Sequence, residues 1–250
     1  MKNGYRVLFL PDTHIESTVG LSLSLKAALK FIKIFKPHET IIGGDFMDFD
    51  SISKFGKKNF LKREGKRLLF DFHLGNKVLD VIDKHTKDKV VYLYGNHEIW
   101  LDNLIAEEAP QLEGLVSVEK ELRFKDRNYK IIPFNKVYKV GHARFIHGWY
   151  YNIYHARKTV AEMGASTFYG HTHDMQAFTK VNYDEKPMLG QSMGCLCDLN
   201  PSYKKNRPNR WVNGFGIFYF SSDGTFTPYN PILIKGKFWW NGKLINGGTK

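Results

Sequence analysis

Five short apolar runs in this 250-residue chain each end in residues that can bind a metal ion. The runs are rich in β-branched and aromatic residues, a pattern that is typical of buried strands. They stand at 5–10, 40–42, 89–94, 142–146 and 166–169. In open α/β sheets, ligands bind beyond the carboxyl ends of the strands, so we expect a site where these five ends meet.

Segments with helical spacing of apolar residues lie between these runs. In 21–36, apolar side chains recur three and four residues apart, and Ser17 and Thr18 precede the segment as candidate caps. The same spacing is found in 60–85, 98–108 and 153–163. Strands that alternate with helices predict an α/β fold.

From residue 175 onward the pattern changes to short strand-like pieces, with a hairpin turn predicted at 222–225. No linker, repeat or low-complexity tract divides the sequence. We therefore expect a single domain over 1–250, in which the C-terminal third, about 175–250, adds antiparallel strands.

The net charge of +12 comes from 37 basic and 25 acidic residues. A basic protein attracts polyanions by counterion release and steering, although many basic proteins bind no nucleic acid. The N-terminal apolar stretch is short and interrupted by Pro11, and no apolar run is long enough to span a membrane. Cys195 and Cys197 have a spacing that suits neither a structural disulfide nor a zinc site. We expect two reduced thiols in a cytoplasmic protein.

The groups that follow the five runs are carboxylates, imidazoles and one amide. Each motif alone occurs by chance as a turn or a surface pair, but the five in this order are far more specific. The motifs are Asp12-Thr13-His14, Gly44-Asp45-Phe46-Met47-Asp48, Gly95-Asn96-His97-Glu98, His147-Gly148 and Gly170-His171-Thr172-His173. Mixed carboxylate and imidazole ligands suit borderline divalent ions, so a metal site is expected.

In these motifs, over about residues 5–175, the chain resembles the calcineurin-like metallophosphoesterases. The resemblance implies an α/β fold of the four-layer α/β/β/α sandwich type, with a two-metal centre between its loops. It also implies hydrolysis of phosphoesters by in-line attack of a hydroxide that bridges two metal ions. Two divalent ions per chain are expected, with Mn²⁺ preferred and Fe²⁺, Zn²⁺, Ni²⁺ and Mg²⁺ as alternatives.

The resemblance also assigns a role to each motif residue. Asp45 would bridge the two ions, His97 would protonate the leaving oxygen or stabilise its charge, and Asp48 would orient His97. One ion would be held by Asp12, His14 and His173, and the other by Asn96, His147 and His171.

Three further residues lie close to the motifs. His142 is the alternative to His147, and we prefer His147 because it ends the apolar run and precedes a glycine. Asp50 has no assigned role and is expected to be a solvated loop acid. Glu98 is expected to cap the helix that follows it.

Two basic segments are candidates for substrate binding. In 53–70, lysines recur four residues apart and would form one stripe on a helix: Lys54, Lys58, Lys62 and Lys66. In 203–211, basic residues stand beside aromatic ones in a loop: Lys204, Lys205, Arg207 and Arg210. Such combinations suit a nucleic-acid backbone and unstacked bases. A solvated helix face and an ordinary surface loop are the alternatives.

These patterns predict a two-metal phosphodiesterase or nuclease that acts on nucleic acid, on DNA more than RNA. Protein phosphatases of the family carry Arg where Phe49 stands, which disfavours a phosphoprotein substrate. One alternative is a phosphatase or phosphodiesterase for a small substrate such as a nucleotide. Another is a metal-stabilised nucleic-acid-binding module, which would have no need for His97. A protein partner or a homodimer stays open, and no membrane partner is expected.

Overall fold

The computed structural model describes residues 1–53, 64–181, 183, 186–201, 204 and 207–248. Helices and strands alternate in the first two thirds of the chain, which confirms the mixed α/β class. The helices are α1 (Leu23–Phe35), α2 (Leu68–His85), α3 (Asn96–Glu108), α4 (Val118–Glu121) and α5 (His155–Met163), with a 3-10 turn at Pro110–Leu112. The strands are β1 (Tyr5–Leu10), β2 (Glu39–Ile42), β3 (Lys89–Leu93), β4 (Lys130–Ile132), β5 (Tyr138–Val140), β6 (Ala143–Phe145), β7 (Thr167–Tyr169), β8 (Ala177–Val181), β9 (Pro187–Ser192), β10 (Gly216–Phe220), β11 (Phe226–Tyr229), β12 (Lys237–Trp240) and β13 (Lys243–Asn246).

The strands form two main sheets. The first has the order β11-β10-β1-β2-β3-β4, in which β1 to β4 are parallel, β10 is antiparallel to β1, and β11 is antiparallel to β10. The second has the order β5-β6-β7-β9-β8, in which β6, β7 and β9 are parallel. Because β1, β2 and β3 are adjacent and parallel, their carboxyl ends meet at one edge of the first sheet. Those of β6 and β7 meet in the same way in the second sheet.

An aromatic core joins the two sheets. The ring centroid of Phe218 on β10 lies 5.1 Å from that of Phe145 and 4.7 Å from that of Phe168. Phe9 on β1 contacts Phe145 at 5.7 Å. All four rings are fully buried. Because such a layer is close-packed, it holds the two sheets at a defined separation.

Helices pack against both sheets. Phe31 of α1 packs against Phe215 and Phe238, and α2 adds Leu79 and Ile82 to the same core. The hairpin formed by β12 and β13 contacts α1. On the other side of the molecule, α5 contacts β7, β8 and β9. None of the helices in the described part of the chain combines the length and hydropathy that crossing a bilayer requires.

The strands predicted before the five motifs are confirmed, and so are the helices, within two residues at each end except for α2. The helix predicted over 60–85 begins at Leu68, while 54–63 lies outside the described residues. The turn predicted at 222–225 joins β10 to β11. Every element with described bounds after Met163 is a strand.

The predicted cap of α1 was wrong. Ser22 is the N-cap, and its Oγ accepts a hydrogen bond from the Leu25 amide at 2.9 Å. Ser17 and Thr18 lie one turn earlier, where the Ser17 amide donates to Asp71 and the Thr18 hydroxyl donates to Glu16. A helix capped by Ser17 or Thr18 would have to run through Gly20, whose φ of 78° is incompatible with an α-helix.

Replacing Phe218 with Ala should lower the free energy of unfolding by about 3–5 kcal/mol, because it leaves a cavity between the sheets. Urea denaturation of the protein in EDTA measures the change. Phe70→Ala is the control, since Phe70 is 54% exposed and its loss should stay within about 0.5 kcal/mol. Equal losses in the two variants would contradict this description of the core.

Candidate metal centre

The loops after β1, β2, β3, β6 and β7 bring the five motifs together. Five of the motif residues have left-handed backbone, with φ of 45° at Asp12, 43° at His14, 46° at Asp45, 65° at His171 and 58° at His173. This region is rare for residues other than glycine and costs on the order of 1 kcal/mol or more at each position. Such strain clusters at functional sites, where the surrounding fold holds the side chains in a required arrangement.

The first cluster contains Asp12, His14 and His173. Asp12 Oδ1 lies 3.3 Å from His173 Nε2, and the Nε2 atoms of His14 and His173 are 3.1 Å apart. The His171 amide donates to both carboxylate oxygens of Asp12, at 3.0 and 2.9 Å. Asp12 and His173 are buried, so the three ligand atoms face one another with little access to solvent.

The second cluster contains Asn96, His147 and His171, and Asp45 lies beside it. Its centre is His147 Nε2, which lies 3.1 Å from Asn96 Oδ1 and 3.2 Å from His171 Nδ1. Asp45 Oδ2 is 3.4 Å from the same nitrogen. The loops after four different strands therefore supply these four side chains.

Asp45 lies between the two clusters. Its Oδ2 is 3.4 Å from His147 Nε2 in the second cluster and 3.9 Å from His14 Nε2 in the first. Its Oδ1 accepts a hydrogen bond from the His97 amide at 2.8 Å, which fixes the orientation of the carboxylate. One carboxylate thus faces nitrogen atoms from both clusters.

The donor atoms fit divalent cations. His147 Nδ1 lies 2.9 Å from the Gly43 carbonyl oxygen, and His14 Nδ1 lies 2.9 Å from Asp48 Oδ1. Both oxygens are acceptors, so in the neutral imidazole each Nδ1 carries the proton and each Nε2 points a lone pair into its cluster. Lone pairs that converge on other lone pairs require a positive charge between them, and this pattern of outer hydrogen bonds is typical of histidines that bind metals. The two clusters therefore fit two divalent ions.

The buried carboxylates favour positive charge at His14 and His147, whereas His171 is kept neutral. Burial opposes a proton on His147, but Asp45 outweighs it and raises the pKa of His147 to about 10. Burial also opposes a proton on His14, whereas the hydrogen bond to Asp48 and the nearby carboxylates raise its pKa to about 9. For His171, burial and the neighbouring His147 lower the pKa to about 4.

Asp48 supports two histidines rather than one. The resemblance implies that the Asp48 side chain orients His97. In the structure, the backbone carbonyl oxygen of Asp48 is the atom that faces His97. The Asp48 carbonyl oxygen lies 2.5 Å from His97 Nδ1, whereas Asp48 Oδ1 is 3.9 Å from that nitrogen and 2.9 Å from His14 Nδ1. The Asp48 amide donates to the Ile15 carbonyl oxygen at 3.1 Å, which places its side chain over the loop that carries His14.

His97 lies beside the Asp45 carboxylate without belonging to either ligand cluster. Its Nε2 is 3.8 Å from Asp45 Oδ2, and the ring of Trp100 stacks on it with centroids 3.7 Å apart. Because its Nδ1 faces a carbonyl oxygen, its Nε2 is free to exchange a proton with a group at the centre. Burial is the main cause that lowers the pKa of His97.

Glu98 caps α3 as predicted, but its carboxylate also holds the Asp45 loop. Oε2 accepts hydrogen bonds from the amides of Gly95 at 2.9 Å and Asp45 at 3.0 Å. Oε1 accepts from the Phe46 amide at 2.9 Å and from the Tyr92 hydroxyl at 2.8 Å. Sequence reasoning missed this contact because the Asp45 loop precedes Glu98 by more than fifty positions, and no local pattern signals it.

Two glycines allow the carboxylates to approach the backbone. A Cβ on Gly95 would lie 2.2 Å from Asp45 Oδ1, and a Cβ on Gly170 would lie 2.0 Å from Asp12 Oδ2. Real Cβ atoms do not come this close, so each motif requires glycine at that position.

Cys197 lies next to the first cluster. We expected an ordinary thiol from the sequence, and its Sγ is 3.7 Å from His173 Nδ1.

Next to the first basic segment, the structure corrects the expectation for Asp50. Lys66 Nζ lies 2.6 Å from Glu16 Oε1 and 2.7 Å from Asp50 Oδ2, so two carboxylates engage this ammonium group. Asp50 is accordingly a half-buried ion-pair partner and not a solvated loop acid. The other predicted members of the stripe, Lys54, Lys58 and Lys62, lie outside the described residues.

The second basic segment lies beside the first cluster. The ring of Trp211 is 4.1 Å from that of His173, and Lys204 Nζ lies 4.1 Å from the Trp211 ring centroid. Arg207 and Arg210 are exposed, and Lys205 lies outside the described residues.

His142 is exposed at the turn between β5 and β6, with Nε2 3.0 Å from the Asp223 carbonyl oxygen, away from the cluster that contains His147.

No protein-family model matches this chain, and no curated protein does. Among solved structures, Vps29 from Chaetomium thermophilum has a TM-score of 0.39 and 11% identity, over 92% of this chain and 99% of that one. A dimetal phosphatase from Danio rerio has a TM-score of 0.44 and 10% identity, over 92% and 96%. The NAD nucleotidase of Haemophilus influenzae has a TM-score of 0.42 and 13% identity, over 93% of this chain and 51% of that one. With TM-scores below 0.5, these similarities carry no argument about the activity of this chain.

Replacing Glu98 with Gln should lower the free energy of unfolding by about 2 kcal/mol or more, because an NH₂ group would face buried amide donors. The Asp45 loop should shift as a result, and metal content after dialysis against Mn²⁺ should fall. Denaturation and elemental analysis measure the two effects. Glu113→Gln, at an exposed position, is the control; a Glu98→Gln protein indistinguishable from it would contradict the role of this carboxylate.

Proposed function

We propose that this protein is a metal-dependent phosphoesterase with two divalent ions. Asp12, His14 and His173 would hold one ion, and Asn96, His147 and His171 the other, with Asp45 between them. The observation that carries the proposal is the Asp45 carboxylate, whose Oδ2 faces histidine nitrogens of both clusters at 3.4 and 3.9 Å. When bound, such an ion pair neutralises phosphoryl oxygens and lowers the pKa of a water molecule towards neutrality.

The residues around the clusters support hydrolysis rather than binding alone. His97 has one nitrogen tied to the Asp48 carbonyl oxygen and the other directed to the Asp45 side of the centre. In its protonated form, Nε2 can donate a proton to an oxygen that leaves a phosphorus atom there. Trp100 stacks on the ring and holds its plane. A module that only binds nucleic acid has no use for this placement.

For the substrate we propose a phosphodiester in nucleic acid, with DNA preferred. The net charge of +12 and the position of Lys204 beside the first cluster support a polyanion. The position after Asp48 supports a diester over a phosphoprotein monoester. Phe49 fills it as a fully buried ring that packs on Phe72, so it offers no guanidinium to a dianionic phosphate. Mn²⁺ as the ion and a cytoplasmic location are further parts of this proposal.

A small phosphoester such as a nucleotide is the second candidate. A cavity of about 570 Å³ lies beside the first cluster, with His14, Leu21, Lys26 and Trp211 among its lining residues. This volume lies in the range of small-molecule sites. Incubation with Mn²⁺ and labelled single- and double-stranded DNA, beside a panel of nucleotides, separates the two candidates by the substrate that is cleaved.

Metal removal tests the proposed activity directly. We expect the protein to hydrolyse bis-p-nitrophenyl phosphate with Mn²⁺, to lose this activity in EDTA and to regain it when Mn²⁺ is restored. Asp45→Asn should lose it as well, because the neutral amide binds divalent ions less well than a carboxylate does. Activity that persists after thorough chelation would sink the two-metal proposal.

His97→Ala should reduce turnover of a diester with a poor leaving group by roughly 10²–10⁴-fold, because it removes the proton donor. Turnover of an activated p-nitrophenyl ester should fall much less, and metal content should stay the same. His142→Ala is the matched control, since His142 is an exposed histidine at a turn. An equal loss on both esters would argue against a role at the leaving group.

A further inference from the structure

Residues 149–154, here called the aromatic loop, join the candidate ligand His147 to α5. Tyr151, Ile153 and Tyr154 are 78%, 63% and 69% exposed. Large apolar side chains exposed together on one short loop mark an interaction surface. Neither the two metal clusters nor the residues around them use this loop.

The aromatic loop is fastened at its base. His155 is fully buried between the Tyr169 hydroxyl, 2.7 Å from Nδ1, and Asp174 Oδ2, 3.0 Å from Nε2. The Gln176 side chain donates to the Ile153 carbonyl oxygen at 2.9 Å and accepts from the Ala156 amide at 2.8 Å. The exposed rings therefore project from a fixed support.

The same contacts attach the loop to the metal centre. Asp174 follows the candidate ligand His173 directly, and its Oδ1 accepts a hydrogen bond from the Thr172 hydroxyl at 2.7 Å. At the other end, Gly148 lies against His171, where an added Cβ would meet the His171 Cβ at 2.7 Å. Tyr151 is four residues from His147, so the two are at most about 14 Å apart along the chain.

The loop and the first turns of α5 carry basic side chains and no acidic ones. The stretch 147–161 contains no Asp or Glu, and Arg157 and Lys158 are exposed on the first turns of α5. Lys158 Nζ lies 4.2 Å from the ring centroid of Tyr150, and Arg157 Cζ lies 5.7 Å from that of Phe178. A second copy of the chain that docked by this same surface would bring like charges together. A polyanion with aromatic bases matches both the charge and the rings.

We propose that the aromatic loop binds unpaired bases of a single-stranded nucleic acid. Tyr151 and Tyr154 are the stacking platforms, and Arg157 and Lys158 contact the phosphates on either side. The inference rests on the proposed function, because the loop would lead a strand from these rings to the two clusters. According to this inference, the substrate has a single-stranded segment next to the bond that is cleaved.

Anisotropy of a fluorescent oligothymidylate in EDTA tests the inference without cleavage. The double variant Tyr151→Ala/Tyr154→Ala should bind roughly tenfold more weakly or worse, while the double Phe variant keeps most of the affinity, since stacking needs only the ring. The double variant Arg157→Gln/Lys158→Gln should reduce the slope of log K against log salt by about 1.4. Trp239→Ala, at a ring that is 69% exposed on β12, is the control and should bind as the unmodified protein does.

Unchanged oligonucleotide binding by Tyr151→Ala/Tyr154→Ala would overturn the inference. If light scattering then shows that the unmodified protein is a dimer and this variant is not, the loop is a protein interface instead. The proposed function fails separately, if the unmodified protein shows no hydrolysis of bis-p-nitrophenyl phosphate with Mn²⁺. In that case, weakened oligonucleotide binding by Tyr151→Ala/Tyr154→Ala would still support the aromatic loop as a binding site for single strands.

Discussion

The placement of one carboxylate, that of Asp45, is the constraint on which the site depends. Its Oδ2 faces His147 and His14, while its Oδ1 accepts from the His97 amide. The loop that carries Asp45 is fixed in position, because the buried Glu98 carboxylate accepts a hydrogen bond from the Asp45 amide. A buried charge of this kind is stable only with several donors around it or with cations beside it. Here the fold supplies the donors and the histidines define where the cations belong.

The packing of the two sheets brings the ligands into reach. Asp12, Asp45 and Asn96 follow β1, β2 and β3 of the first sheet, and His147 and His171 follow β6 and β7 of the second. Each sheet alone presents an incomplete set of ligands. The ring contacts of Phe218 and Phe145 hold the sheets face to face, and the two half-sets then meet at 3.1 to 3.4 Å. The candidate metal centre therefore depends on the packing of the core between the sheets.

Much of this arrangement is readable from the sequence, since strands with a polar group at the carboxyl end have a local signature. The pattern of 5–10 before Asp12, or of 166–169 before His171, predicts both the strand and the exit point of its loop. What the sequence could not provide depends on long-range contacts: Ser22 rather than Ser17 as the cap, the capture of Lys66 by Glu16 and Asp50, and the Asp48 carboxylate on His14. The Glu98 contact with the Asp45 loop belongs to the same group, because its partners are distant in sequence and its own neighbourhood looks like an ordinary cap.

In the proposed centre, two ions share the Asp45 carboxylate. The decisive experiment is a crystal structure of the protein grown with Mn²⁺, with anomalous differences measured at the manganese edge. We expect two peaks about 3.5–4 Å apart, one beside Asp12, His14 and His173 and one beside Asn96, His147 and His171, with Asp45 in contact with both. A single peak, or two peaks of which Asp45 touches only one, would contradict it.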